Sequence, residues 1–354
     1  MKTEIIEVHP QYPDLKEIAR CAKVIRQGGL VIFPTETVYG IAADYNNPEA
    51  IRRLDAIKNR PKDKPYSVLI SQRGLISNYT PMTDSRLYKL IDAYWPGPLT
   101  VIVPSIEEGQ TVGVRMPDNI IALKLVAECQ CTIAAPSANL EGEDPPSTCA
   151  EALKDLDGLV DLAIDGGPAH FGRSSSIVDF TTSTPTVLRE GAISQEDVDH
   201  IAGKKTILFV CTGNSCRSVM AEYLLKSMLS GRDDVEVLSA GTGVFINSTA
   251  SSETISVLRN EGIDPTGHIS QPVSSILLKK ADLIFVMTRN HRQQVLERVP
   301  AVENRVYLLR EFTNIPADFQ GDLDIPDPIG RSHLAYRECM EVIKEAINKI
   351  VELV

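Results

Sequence analysis

Cys211-Thr212-Gly213-Asn214-Ser215-Cys216-Arg217-Ser218 follows directly on the apolar run Ile207 to Val210. The order predicts a strand, a tight loop and a helix, with a cysteine opening the loop and an arginine closing it. Amides in a strand-to-helix loop point inward and cradle an anion. A thiol on the floor of such a cradle implies phosphoryl transfer to sulfur. An ordinary thiol, of pKa about 8.5, is only a few per cent thiolate at neutral pH, and a helix N-terminus with a nearby cation lowers that value. Arg217 supplies the cation and a planar fork that matches phosphate oxygens. Gly213 is expected to take the backbone angles of the loop, Asn214 to hydrogen-bond it into shape, and Ser218 to donate to the sulfur. The reaction also needs an acid for the leaving group. Asp327 stands between Pro326 and Pro328, so its backbone is constrained and its carboxyl could be held over the loop.

A second set of chemical residues occupies the first half of the chain. Pro34-Thr35-Glu36-Thr37-Val38-Tyr39-Gly40 follows the strand expected at Leu30 to Phe33. Lys58, Arg60, Lys62 and Lys64 fall in a proline-stiffened stretch after a helical pattern from Pro48 to Ile57, a cluster suited to polyphosphate. Arg115 lies in Val112 to Pro117, Ser137 and Asn139 in Ala134 to Asn139, Ser176 in Ser174-Ser175-Ser176, and Arg189 in Val187 to Gly191. From the residues alone these make a polar, cation-lined cleft assembled from several strand ends.

The elements that must position these groups are readable from pattern. Short apolar runs at Val235 to Ser239, Leu283 to Met287 and Val306 to Leu309 alternate with helical patterns near Met220 to Leu229, Ser252 to Asn260, Asn290 to Arg298 and His333 to Ile350. Strands alternating with helices predict a doubly wound parallel sheet covered on both faces. The cradle then sits at the carboxyl end of the first strand, where ligands bind in such sheets.

A length of 354 residues suggests two α/β-type domains. Ser194 with Asp197 opens a short helix and Gly203 closes it, which places the boundary between residues 1–203 and 204–354. No apolar stretch approaches the roughly 18–20 residues of a membrane span, and no secretory signal is visible at Met1 to Pro10. Seven cysteines, an odd number without a paired framework, suit a reducing cytoplasm and a catalytic thiol. No metal cage stands out. The net charge is −11. Residues up to Gly203 carry 19 Lys/Arg and 28 Asp/Glu, a balance of 19 − 28 = −9, and this acidity argues against non-specific nucleic-acid binding.

Residues from about 204 to 354 resemble a low-molecular-weight protein-tyrosine phosphatase, in the cradle, in Ser239-Ala240-Gly241-Thr242, in Asp282 to Met287 and in the Asp327-Pro328 pair. The resemblance implies Cys211 as nucleophile, Arg217 as phosphate binder and Asp327 as general acid. It implies that Asn214 and Ser218 order the loop and stabilise the thiolate, and that Cys216 can trap Cys211 as a disulfide. Tyrosine-directed members carry aromatic residues after the Asp-Pro pair, where this chain has Ile329-Gly330. The small hydroxyl of Ser215 resembles the branch that hydrolyses phosphoarginine. Phosphotyrosine and phosphoarginine both stay open.

Residues 12 to 201 resemble the YrdC/Sua5 family, the threonylcarbamoyl-adenylate synthases, through the motifs quoted above taken in series. The resemblance implies a twisted mixed sheet with helices and a concave cleft. It implies synthesis of threonylcarbamoyl-AMP from L-threonine, bicarbonate and ATP with release of pyrophosphate, with magnesium bridging the ATP phosphates, as a step toward the t6A modification of tRNA. Lys58 and Arg60 then match the Lys-x-Arg pair, and Ser137 and Asn139 the Ser-x-Asn pair. Thr35 lies in the substrate loop, and Arg115, Ser176 and Arg189 fall on the ATP side. The expected partners are these substrates, a phosphoprotein, and tRNA or the proteins that pass the adenylate onward. The phosphatase needs no cofactor and no membrane. The competing reading of the first domain is an RNA-binding module.

Overall fold

The computed structural model describes residues 2–59, 66–314 and 321–353. The chain divides into two compact units, one formed by Met1–Met82 with Leu90–Ile201, the other by Thr83–Lys89 with Ala202–Val354.

The first unit holds ten strands among its described residues: β1 (Glu4–Glu7), β2 (Val31–Phe33), β3 (Gly40–Asp44), β4 (Val68–Leu69), β5 (Leu99–Pro104), β6 (Thr111–Arg115), β7 (Ile133–Ala134), β8 (Leu162–Asp165), β9 (Ser176–Asp179) and β10 (Thr186–Arg189). They join into one sheet in the order β1-β8-β2-β3-β7-β4-β6-β5-β9-β10. Pairing is mixed: β1 and β2 run parallel to β8, whereas β3 runs antiparallel to β2 and β7. β2 is buried at all three positions, so it reads as an apolar run rather than as an alternation. One helix, Leu15–Arg26, packs Ile18, Cys21, Ala22 and Ile25 into the core; Asp14 caps it by accepting from Lys16 N. Another, Pro48–Lys58, starts at an Asn47 cap with proline at its first turn and ends at Asn59 in the left-handed conformation, placing Lys58 in the last turn. The Ser194–Asp197 cap is present: Ser194 Oγ donates to Asp197 Oδ2 at 2.7 Å, and the helix runs Gln195–Gly203.

The second unit is a four-stranded sheet, β11 (Lys205–Cys211), β12 (Val235–Gly241), β13 (Leu283–Val286) and β14 (Val306–Leu308), in the order β12-β11-β13-β14 with every pair parallel. The chain leaves β11 toward one side for β12 and returns to the other side for β13. Such a reversal opens a crevice at the carboxyl end of the central strand, and Cys211 is the last residue of β11. The helices Arg217–Met228, Ser252–Asn260, Arg289–Arg298 and His333–Ile350 lie where the periodicity predicts them. Ser251, Thr288 and Ser332 cap the last three through side-chain oxygens. A further short helix, Ser275–Lys280, has too few residues to establish a period. Phe209 and Phe285 stack at 5.5 Å, and Phe312 meets Phe285 edge-on at 5.2 Å.

Phe285 is 1% exposed at the centre of that aromatic cluster. Phe285→Ala is expected to destabilise the second unit by about 3–5 kcal/mol, read from the shift of its transition in urea.

Candidate functional site

The cradle is built outward from Asn214. This residue, and not Gly213, adopts the left-handed conformation, at φ 50°. The sequence expectation for Gly213 is therefore corrected: asparagine tolerates this region because its side chain can hydrogen-bond locally. Asn214 is fully buried. Its backbone N–H points at Cys211 Sγ at 3.3 Å, and Nδ2 donates to Ser218 Oγ at 3.0 Å and to Ser239 Oγ at 2.7 Å. Gln271 N donates to Oδ1 at 2.9 Å, and His268 Nε2 lies 2.7 Å from the Asn214 carbonyl. Ser218 Oγ is 3.0 Å from Cys211 Sγ. Ser239 in turn donates to the buried Glu222 at 2.5 Å. Gly241, at the end of β12, permits the close approach: a Cβ there would stand 2.4 Å from the Thr212 carbonyl and 3.0 Å from Asn214 N.

Arg217 opens the helix and is 3% exposed. Its Nη1 donates to the Ile325 carbonyl at 2.9 Å and its Nη2 to Asp327 Oδ2 at 2.5 Å. Nε is buried and makes no hydrogen bond among the described residues. The structure thus brings Cys211, Arg217 and Asp327 together across 116 residues of sequence, counted as 327 − 211. Cys211 and Cys216 are both free thiols, and Cys216 Sγ lies 3.6 Å from Tyr336 Oη. His291, which pattern alone did not single out, also touches the site. Thr212 Oγ1 is 2.9 Å from the Nε2 of buried His291. Phe245, 96% exposed, lies on the loop that begins with Gly243 N donating to the Thr212 carbonyl at 2.9 Å.

In the first unit a cavity of about 330 Å³ is lined by Thr35, Lys58, Thr100, Arg115, Ser137, Asn139, Ser174, Ser175 and Arg189, among others. Lys58 Nζ donates to the Ser137 carbonyl at 3.2 Å, the Asn139 carbonyl at 2.7 Å and Asn139 Oδ1 at 3.1 Å. Thr35 Oγ1 donates to the Val38 carbonyl at 2.6 Å and accepts from Thr37 N and Val38 N, which holds its loop tight. Arg115 Nη2 donates to Glu36 Oε1 at 2.6 Å and to Thr37 Oγ1 at 2.7 Å. Arg189 Nε donates to the Ser175 carbonyl at 2.9 Å. Burial, and then the Arg115 charge, push the Arg189 guanidinium below its ordinary value. Ser176 is placed differently from the expectation: it is fully buried, its Oγ donates to the Ile193 carbonyl and accepts from Gly191 N and Ile193 N. Ser175 is the serine that meets Arg189. Arg60 lies outside the described residues.

Residues 23–191 match the Sua5/YciO/YrdC family, described as telomere recombination, and residues 206–354 match the family of low molecular weight phosphotyrosine protein phosphatases. A threonylcarbamoyl-AMP synthase of Bacillus subtilis is 35% identical over 196 residues, 53% of this chain and 57% of the relative. One from Pyrococcus abyssi is 34% identical over 227 residues, 62% of this chain and 66% of the relative. A relative from Mycobacterium tuberculosis is 35% identical over 194 residues, covering 52% of this chain and 89% of its own length. The crystal structure of P. abyssi Sua5 complexed with L-threonine is 26% identical, with a TM-score of 0.54 and 86% of this chain and 99% of that chain covered. The chain spans about half to two thirds of the length of the first curated relatives, 57%, 66% and 52%. The chain belongs to the Sua5/YciO/YrdC family, and its residues 206–354 match the low molecular weight phosphotyrosine protein phosphatases.

His291 gives the site a measurable pH dependence. Burial first, and then the Arg217 charge, push its imidazole down to about 4 from 6.5, against the opposite pull of Asp327 and Asp324. Between those values the unfolded chain binds a proton that the folded unit refuses, so this contribution is full above about pH 6.5 and is lost as pH falls toward 4. The thermal midpoint of the second unit is expected to drop more steeply across that window in the unvaried protein than in His291→Phe. Equal slopes would contradict the assignment.

Proposed function

We propose that the chain is a two-headed enzyme. The first unit forms L-threonylcarbamoyladenylate from L-threonine, bicarbonate and ATP, releasing pyrophosphate, for the t6A modification of tRNA. The second hydrolyses phosphotyrosine or phosphoarginine in proteins through a phosphocysteine. The functional division falls at residues 203 and 204, and a cytoplasmic location and tRNA or t6A-transfer partners belong to the same reading. The observation that carries it is the cradle, where a thiol, an inward amide and a buried guanidinium with an unpaired Nε converge.

A buried donor left unpaired costs about 1–3 kcal/mol, and an oxyanion held in the loop would satisfy Arg217 Nε. Phosphate oxygens would also compete with Asp327 for Nη2, freeing its carboxyl for the leaving group. The Cys211 sulfur then bonds to phosphorus as the bond to the ester oxygen or guanidine nitrogen breaks, and Asp327 gives its proton to that atom. In the second half Asp327 takes a proton from water as the water oxygen attacks phosphorus. The S–P bond breaks, and thiolate and inorganic phosphate are released. Ser218 and the Asn214 amide stabilise the sulfur in both halves.

In the first unit a carbamate must attack the α-phosphate of ATP, and both are anionic. Lys58 and Arg189 would screen that repulsion and the charge growing on pyrophosphate, while Arg115 is braced by Glu36. Arg60 is proposed to act with Lys58, and Thr35, Ser137 and Asn139 to orient the reactants. Ser176 is proposed to support the Arg189 side of the cavity through the turn it holds. The described residues contain no group of three His, Cys, Asp or Glu able to hold a metal, so magnesium would travel on the nucleotide phosphates. The acidic balance of the first 203 residues disfavours the RNA-binding alternative.

Pyrophosphate release from ATP is expected to require both L-threonine and bicarbonate, and release independent of threonine would refute the synthase. Lys58→Ala should slow it by about 10²–10³. For the phosphatase, assayed on phosphotyrosine and phosphoarginine peptides, Cys211→Ser should abolish turnover yet keep phosphate binding, and Asp327→Ala should slow turnover by about 10²–10⁴. An active Cys211→Ser protein would overturn the mechanism.

A further inference from the structure

One buried imidazole joins the two loops of the phosphatase site. His291 is 3% exposed and sits in the first turn of the helix Arg289–Arg298. Its Nε2 is 2.9 Å from Thr212 Oγ1, on the residue next to the nucleophile. Its Nδ1 is 2.8 Å from Thr288 Oγ1, which also caps the helix by accepting from His291 N at 3.2 Å. The neighbours of Thr288 hold the acid segment. Ile325 N donates to the Met287 carbonyl at 2.9 Å. Arg289 N donates to Asp324 Oδ1 and Arg289 Nη1 to Asp322 Oδ1, both at 2.8 Å. The cradle is therefore bonded to one ring nitrogen, and the base of the segment that carries Asp327 to the other.

We propose that His291 is a positioning residue that holds the Asp327 segment where its carboxyl reaches the leaving group. The inference rests on the phosphatase reading given above. A neutral imidazole donates from one nitrogen and accepts at the other, so a single ring fixes two hydroxyls on two different loops relative to one another. Both nitrogens are engaged and the ring is buried, so His291 does not itself exchange a proton with substrate. It acts through Thr212 and through Thr288.

The consequence is selective. When S–P bonding and P–O cleavage proceed together, an acidic phenol can depart without Asp327's proton, whereas a phenol near tyrosine's pKa of about 10 cannot. A misplacement of about 1 Å can cost about 10²-fold, and here that loss falls on the poor leaving group.

The test uses the full chain with phenyl phosphate and p-nitrophenyl phosphate, reading kcat/KM because it reports the first transfer. His291→Phe is expected to lower kcat/KM about 10²-fold on phenyl phosphate and less than about 10-fold on p-nitrophenyl phosphate, with inhibition by inorganic phosphate unchanged. His291→Gln, whose amide both donates and accepts, should recover part of the loss. Thr212→Val cuts the same link from the exposed side. It should show the same selectivity and add little to His291→Phe in the double variant. Thr212→Val alone decides the matter if His291→Phe does not fold. Equal losses on the two esters, or additive losses in the double variant, would overturn the inference while leaving the phosphatase intact. Failure of the unvaried chain on both esters would overturn the inference, and failure on a phosphoarginine peptide as well would overturn the phosphatase reading.

Discussion

Asn214 is held in a conformation that few side chains accept, and much of the second unit is arranged around keeping it there. It is fully buried at φ 50°, and it can stay so only because each of its polar atoms has a partner. The amide reaches Ser218 and Ser239, the side-chain carbonyl takes Gln271 N, and the backbone carbonyl meets His268. Those partners lie on the helix Arg217–Met228, on the neighbouring strand β12 and on the segment after the helix Ser252–Asn260. Glu222 extends the chain by accepting from Ser239, and Lys226 donates to Glu222 near the surface. A buried polar group without its partner would cost about 1–3 kcal/mol, so the network tolerates little change in any one member. Its product is a backbone N–H aimed at the Cys211 sulfur.

The first unit meets a similar electrostatic problem by different means. Its cavity concentrates cations, which repel one another and resist burial. Lys58 is seated on two backbone carbonyls and an amide oxygen, and Arg115 on the carboxylate of Glu36. Arg189 bonds the carbonyl and hydroxyl of Ser175, and burial, then the Arg115 charge, pushes its guanidinium below its ordinary value. Glu36 also accepts from Asp118 N, so the Glu36–Arg115 pair ties the Thr35 loop to the end of β6 and to the turn beyond it. Such pre-placed charges need no reorganisation when an anionic transition state forms.

Much of this was legible in the order of residues. The cradle lies within eight positions, and its chemistry follows from a thiol, a glycine, an asparagine and a guanidinium at fixed spacing after an apolar strand. The helix cap at Ser194 is likewise local, since a side-chain oxygen bonds an amide two or three residues on. Alternating strands and helices determined the parallel sheet of the second unit, because parallel neighbours need a crossover between them. The two-residue strand Val68–Leu69 was not legible, being too short to carry a period.

What only the tertiary structure decided are the meetings between distant segments. Sequence alone expected Gly213 to take the loop's backbone angles, yet the left-handed conformation belongs to Asn214, whose side chain Ser239 and Gln271 meet from other elements. It placed Ser176 in the cleft, whereas the register of β9 turns Ser176 into the core and leaves Ser175 beside Arg189. The buried imidazole between the cradle and the acid segment, and the carboxylate beneath Arg115, had no local signal at all. Patterns along a chain record which groups are available and how they are capped. Which of them meet is set by sheet order and packing, since a buried polar atom must find its partner wherever the fold brings one within reach.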